Sequence, residues 1–268
     1  MPVVELNGIR LSYQVTGSGE LVVLVMGTGS PGRVWHLHQV PALVAAGYRV
    51  ATVDNRGIPP SDECPGGITI DDLVGDIAAL IEYLGNGPAR VVGTSLGARI
   101  VQELALARPD LVAQAVMMAA HGRTGPVQTV LSAGERALYD DGIELPPKYY
   151  AAITALLNLS PRTLNGHATV QEWLDVLEFS GSRISAGVRA QLEMDDFPDR
   201  LAAYSTITVP SLVIGFADDL MTPPYLAREV AEAIPEARYE EISGCGHFGY
   251  LERPDEVNKL LFKFFAST

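Results

Sequence analysis

The apolar positions of this chain follow two rhythms. Residues 21–26 form a continuous run of aliphatic side chains, the pattern of a strand buried on both faces of a parallel sheet. Residues 48–53, 90–92, 112–118 and 211–216 read the same way, and residues 239–242 supply a last strand. Near the start, residues 3–5 and 9–14 read as two strands joined at Asn7-Gly8, a dipeptide suited to the positive φ angles of a tight hairpin. Between the runs, helical spacing predicts helices over roughly 35–46, 70–84, 96–107, 225–234 and 254–265. Strands alternating with helices imply an α/β fold with a mostly parallel sheet and helices on both faces.

The alternation stops between residues 121 and 204. That stretch holds helix-like segments at 133–139, 148–157 and 170–179 but no convincing strand. It reads as a helical insertion, leaving residues 1–120 and 205–268 as the α/β core. No internal repeat or low-complexity segment interrupts either part.

Composition narrows the possible partners. The chain has 268 residues, 47% hydrophobic and 19% charged, enough to bury a large core. Its formal charge of -13 disfavours nucleic acid and anionic membrane surfaces, which need clustered Lys and Arg. Two cysteines, Cys64 and Cys245, do not make a disulfide framework, which suits a reducing cytoplasm. Residues 1–5 lack the basic and apolar regions of a signal peptide, and the apolar runs are too short to span a bilayer. No Cys/His cluster has metal-ligand spacing, so neither metal nor cofactor is expected. The expected partner is a small-molecule substrate, met by a monomer or a homodimer.

The candidate chemistry centres on Gly93-Thr94-Ser95-Leu96-Gly97, a G-x-S-x-G pattern between a predicted strand and a predicted helix. In that context the serine sits on a strained turn, and side chains at the glycine positions would strike neighbouring backbone. The helix N-terminus also aims backbone N–H groups at any anion forming there. Ser95 is therefore the candidate nucleophile. A serine hydroxyl needs a base, and the base needs an orienter. With such an elbow the chain order is serine, acid, histidine. Of the five histidines, His247 fits, in the glycine-rich Gly244-Cys245-Gly246-His247 that follows the last strand. His121 follows another strand and is placed to line the same pocket, whereas His36, His38 and His167 read as ordinary polar side chains. The acid falls in Ala217-Asp218-Asp219-Leu220-Met221-Thr222-Pro223, where two adjacent aspartates compete. Asp219, four residues before Pro223, is preferred, with Asp218 as a loop residue. The Leu96 N–H and the Thr28 N–H, from Gly27-Thr28-Gly29-Ser30-Pro31-Gly32, are the candidate oxyanion donors. That loop lacks the lysine of a phosphate-binding loop and the third glycine of a dinucleotide fingerprint.

Taken in order, the elbow, Asp54-Asn55-Arg56-Gly57, Asp219 to Pro223 and Gly246-His247 resemble the α/β-hydrolase superfamily over essentially the whole chain. The resemblance implies an α/β-hydrolase fold in which residues 121–204 form a mobile cap. Two departures stand out. Met26-Gly27 replaces a common His-Gly, so a side chain that usually braces the oxyanion loop is missing, and Pro59 replaces a glycine in Arg56-Gly57-Ile58-Pro59-Pro60-Ser61. These variants look similar to actinobacterial members that accompany polyketide antibiotic pathways, some methylesterase-like and others acetate-eliminating.

Three functions compete. The first is hydrolysis of an ester or thioester through Ser95, Asp219 and His247. The second is elimination of acetate on the same residues. The third is a ligand-binding protein without catalysis, which an intact triad argues against. Tyr149, Tyr150, Leu156, Leu157, Trp173, Leu174, Leu177 and Phe179 read individually as cap core and together permit an apolar lining. Arg56, Arg99 and Arg123 read as salt-bridge partners before they read as anchors for an acidic substrate.

Overall fold

The computed structural model describes residues 2–85, 87–181, 184–195 and 197–267. The chain opens with the hairpin β1 (Val3–Leu6) and β2 (Ile9–Thr16), turned by Asn7 at φ 46° and Gly8 at φ 77°. Then come β3 (Leu21–Val25), a 3-10 segment Gly32–Leu37, α1 (Gln39–Ala45) and β4 (Arg49–Asp54). The predicted helix over 35–46 is thus split. Pro41 explains the break: in the first turn of α1 its missing N–H costs nothing, whereas in a helix begun at Trp35 it would lose an interior bond. Next are α2 (Ile70–Leu84), β5 (Ala89–Thr94), α3 (Leu96–Ala107) and β6 (Val112–Met118). Thr69 and Asp72 form a reciprocal capping box that starts α2.

Between β6 and β7 lie α4 (Pro126–Asp140), α5 (Pro147–Asn158), α6 (Pro161–Leu164), α7 (His167–Ser180), α8 (Ala186–Leu192) and α9 (Leu201–Tyr204). No strand interrupts them among the described residues. Prolines open α4, α5 and α6, where a fixed φ suits the first turn, so α4 begins before its periodic residues do. The chain ends with β7 (Ser211–Phe216), α10 (Pro224–Ala233), β8 (Arg238–Ile242), α11 (Gly249–Glu252) and α12 (Pro254–Phe265).

The strands form one eight-stranded sheet in the order β1-β2-β4-β3-β5-β6-β7-β8. Pairing is antiparallel from β1 through β2 to β4 and parallel elsewhere. Side chains of β3 alternate between two cores. Leu21, Val23 and Val25 pack with Leu73, Ile77, Leu104 and Val230 from α2, α3 and α10. Val22 and Leu24 pack with Trp35, Leu43, Leu261 and Phe265 on the opposite face. Helices therefore cover both faces, and the continuous apolar runs follow from that double burial. This is the α/β-hydrolase fold. Among the described residues, no helix is long and apolar enough to cross a membrane.

Strand order sets the position of the site. The chain reverses direction of travel across the sheet at β3, which lies between β4 and β5. The loops leaving β3 and β5 therefore emerge side by side, at the kind of switch point where open α/β sheets bind ligands.

Candidate active site

Register brings the first two pieces together. Val25 on β3 pairs with Gly93 on β5, so Gly27 and Ser95 each lie two residues beyond that pair. A Cβ on Gly27 would sit 3.1 Å from Ser95 Cβ. Ser95 itself has φ 55° and ψ -120°, a conformation costly for any residue with a side chain. Its N–H donates to the Met118 carbonyl at 3.0 Å, and its carbonyl accepts from Arg99 N at 3.1 Å, so both neighbours of the turn hold it. The flanking glycines are sterically required. A Cβ on Gly93 would come within 2.1 Å of the Gly97 oxygen, and one on Gly97 within 2.2 Å of the Val25 oxygen.

The second pair comes from β7 and β8, which end together at Phe216 and Ile242. Beyond that register Ala217 N donates to Ile242 O, and Asp218 N to Cys245 O, carrying both loops over the same edge. Asp219 and His247 meet there, with His247 Nδ1 2.8 Å from Asp219 Oδ2. Asp219, and not Asp218, makes this contact, and both partners are buried. Asp219 Oδ1 accepts the Met221 and Thr222 N–H groups, each at 2.8 Å. Its Oδ2 also accepts the Thr222 hydroxyl at 2.8 Å, and that hydroxyl lies 3.2 Å from His247 Nδ1. Thr222 was not singled out from the sequence; its place three residues after the acid was the available signal.

The structure joins Asp219 to His247 and places Ser95 against the Gly27 loop. Among the described residues no hydrogen bond links the Ser95 hydroxyl to the imidazole. Leu96 is the first residue of α3, so its N–H is one of those a helix leaves without an internal partner. Thr28 occupies a turn closed by Ser30 N donating to Gly27 O at 3.3 Å.

The helical segment grips both loops. Around the histidine, Gly246 N donates to Glu252 Oε2 at 2.6 Å and Phe248 N donates to Asn158 O at 3.1 Å. The other oxygen of Glu252 accepts the N–H and hydroxyl of Ser160 and the hydroxyl of Thr163, at the start of α6. Trp173 of α7 stacks on Phe248, with ring centroids 6.1 Å apart. At the loop after β3, Gln191 of α8 accepts the Gly29 N–H at 2.9 Å.

His121 lies beside this cluster. Burial, reinforced by the Arg99 guanidinium and His247, pushes its imidazole down to about 4. Its Nδ1 is buried without a hydrogen-bond partner, and its ring faces Phe197 at 5.4 Å. The three arginines have protein partners. Arg56 forms a two-pronged pair with Asp76, both contacts 2.7 Å, and Arg123 pairs with Glu229. Arg99 donates to the Met194 carbonyl and lies 3.5 Å over the Phe197 ring. Of the apolar residues in the insertion, Leu177 is buried with Ala151, Ala155 and Leu159, whereas Tyr149, Leu156 and Phe179 are exposed.

Residues 22–260 match the model of the Alpha/beta hydrolase family. A Mycobacterium tuberculosis protein, provisionally named non-heme bromoperoxidase BpoC, is 48% identical over 259 residues, covering 97% of this chain and 98% of that protein. Its crystal structure superposes with a TM-score of 0.92 over 96% of each chain. A 2-hydroxy-6-oxononadienedioate/2-hydroxy-6-oxononatrienedioate hydrolase of Burkholderia vietnamiensis is 31% identical, covering 96% of this chain and 91% of that one. The enol-lactonase of Burkholderia xenovorans LB400 is 26% identical with a TM-score of 0.80, over 99% of this chain and 100% of that one.

Proposed function

The chain belongs to the alpha/beta hydrolase family, and from that premise we propose that it is a serine hydrolase cleaving a carboxylic ester or thioester of a small apolar substrate. The observation that carries this reading is the buried Asp219–His247 hydrogen bond at the sheet edge where the strained Ser95 turn emerges.

Ser95 Oγ attacks the carbonyl carbon while its proton passes to His247 Nε2. Asp219 holds the Nδ1–H tautomer and stabilises the imidazolium without taking the proton. The oxygen that gains negative charge is met by the Leu96 and Thr28 N–H groups, whose dipoles are in place before the reaction. His247 then protonates the leaving alkoxide or thiolate, leaving Ser95 acylated. Water, deprotonated by His247, attacks the acyl carbon and releases the acid, restoring Ser95. Residues 121–204 act as the cap over this site. Trp173 and Phe248, stacked next to His247, support an apolar substrate.

The finer substrate reading is a polyketide-like ester, supported by the sequence resemblance alone. On the same residues, elimination would instead have a base remove a proton from the substrate as acetate departs with the bonding pair. The name of the 48% identical relative favours a further acceptor. Hydrogen peroxide replacing water would release a peroxyacid, whose terminal oxygen oxidises bromide to hypobromite as the acid is returned.

Turnover of a p-nitrophenyl acyl ester tests the reading. Wild-type protein is expected to release p-nitrophenol, and folded Ser95→Ala to release none above background. Equal turnover by the two proteins overturns it, and acetate loss from an O-acetylated substrate without ester turnover selects elimination.

A further inference from the structure

The candidate oxyanion loop follows Met26, where the resemblance to the superfamily implies a bracing histidine. The structure offers another brace. The loop Gly27–Ser30 is a four-residue turn with Gly29 at φ 71°, held by one long bond from Ser30 N to Gly27 O. In such a turn the central peptide, here Thr28–Gly29, is the one able to flip, and a flip changes ψ of Thr28 and φ of Gly29, loosening the turn that carries Thr28. Two side chains hold the loop. Asn55 Nδ2 donates to Met26 O at its base, at 2.9 Å. Gln191 Oε1 accepts the Gly29 N–H at its tip, also at 2.9 Å.

Gln191 belongs to α8, far away in sequence, and it is fully buried. Its other end donates from Nε2 to the Arg56 carbonyl at 2.7 Å. The two partners fix which way the amide faces, because a peptide N–H only donates and a carbonyl only accepts. Arg56 is immobilised in turn by its fork to Asp76. Two glycines let α8 approach this closely: a Cβ on Gly187 would lie 2.1 Å from the Gly57 oxygen. The amide of Gln191 thus bridges the backbones of the loops after β3 and β4.

We propose that Gln191 is a positioning residue, which pins the turn at Gly29 and so steadies the preceding Gly27–Thr28 peptide, whose Thr28 N–H is aimed at the developing oxyanion. The proposal rests on the serine-hydrolase reading above. It makes α8 part of the catalytic apparatus as well as part of the cover.

The test compares wild type, Gln191→Met and Ser95→Ala with a p-nitrophenyl ester, and the first two with phenylboronic acid, which forms a tetrahedral adduct on an activated serine. Methionine fills the volume of glutamine and removes both polar ends. A misplaced donor costs on the order of tenfold to a hundredfold, so kcat is expected to fall at least about tenfold with KM within about twofold. Boronate affinity falls by the same factor as kcat/KM, because both read the tetrahedral geometry. If Gln191 only maintained the fold, the active fraction would shrink while the surviving sites bound boronate as before, and that result overturns the proposal. A Gln191→Met variant with unimpaired kcat beside an inactive Ser95→Ala overturns this inference alone. Full turnover by Ser95→Ala overturns it together with the reading beneath it. Amide exchange in the wild-type protein gives a readout that needs no variant: the Gly29 N–H is expected to be protected, and exchange at the rate of a free peptide contradicts the brace.

Discussion

His247 Nδ1 lies 2.8 Å from Asp219 Oδ2, inside a site where that carboxylate has further donors on both oxygens. The carboxylate is therefore held by the Met221 and Thr222 N–H groups and the Thr222 hydroxyl independently of the imidazole. A carboxylate fixed in this way can orient a ring without moving to follow it.

The Thr222 hydroxyl is the one of these donors that substitution can remove cleanly. Hydrogen bonds to charged groups contribute about 1.5–3 kcal/mol, and about 1.4 kcal/mol is tenfold in rate. Thr222→Val, which keeps the shape, is expected to lower kcat about tenfold or more. Thr222→Ser should restore most of it, and steady-state kinetics on both variants provide the check.

Glu252 ties the histidine loop to the start of α6 through Gly246, Ser160 and Thr163. In Glu252→Gln the amide nitrogen has to face at least one of these donors, leaving it unsatisfied. An orphaned buried donor costs about 1–3 kcal/mol. Urea denaturation should show a loss of that size, accompanied by a lower kcat because Gly246 precedes His247.

The sheet and its flanking helices were readable from the sequence wherever double burial or amphipathic spacing left a local trace. The runs at 112–118 and 211–216 became β6 and β7, and the spacing over 70–84 and 96–107 became α2 and α3. Pro41 was readable too, but its effect depends on which turn of a helix it occupies, and so the helix expected over 35–46 was too long. At the site, the Ser95 turn left a five-residue pattern, and His247 stood out because few histidines were available. Gln191 left no trace. Its role comes from two backbone partners distant in sequence, and a buried glutamine on a short helix looks like any other. The choice between Asp218 and Asp219 also needed coordinates, because adjacent residues differ only in which way the loop turns them.

His121 gives the site a pH signature in stability. Its pKa is pushed down to about 4 in the folded chain by burial and by Arg99, against an ordinary value of 6.5. Between those values the unfolded chain binds a proton that the folded chain does not. Stability from this group is therefore present above 6.5 and lost as pH falls toward 4. Thermal melting across that window should show wild type losing more Tm than His121→Asn. Parallel losses in the two proteins would contradict the assignment.

The most direct test of the central claim is the intact mass of the protein after exposure to a fluorophosphonate, with peptide mapping of the product. A serine made nucleophilic by His247 and Asp219 displaces fluoride and keeps the phosphonyl group. The predicted result is one adduct per chain, located on Ser95 and absent from Ser95→Ala. An unmodified wild-type protein, or an adduct that persists in Ser95→Ala, would contradict it.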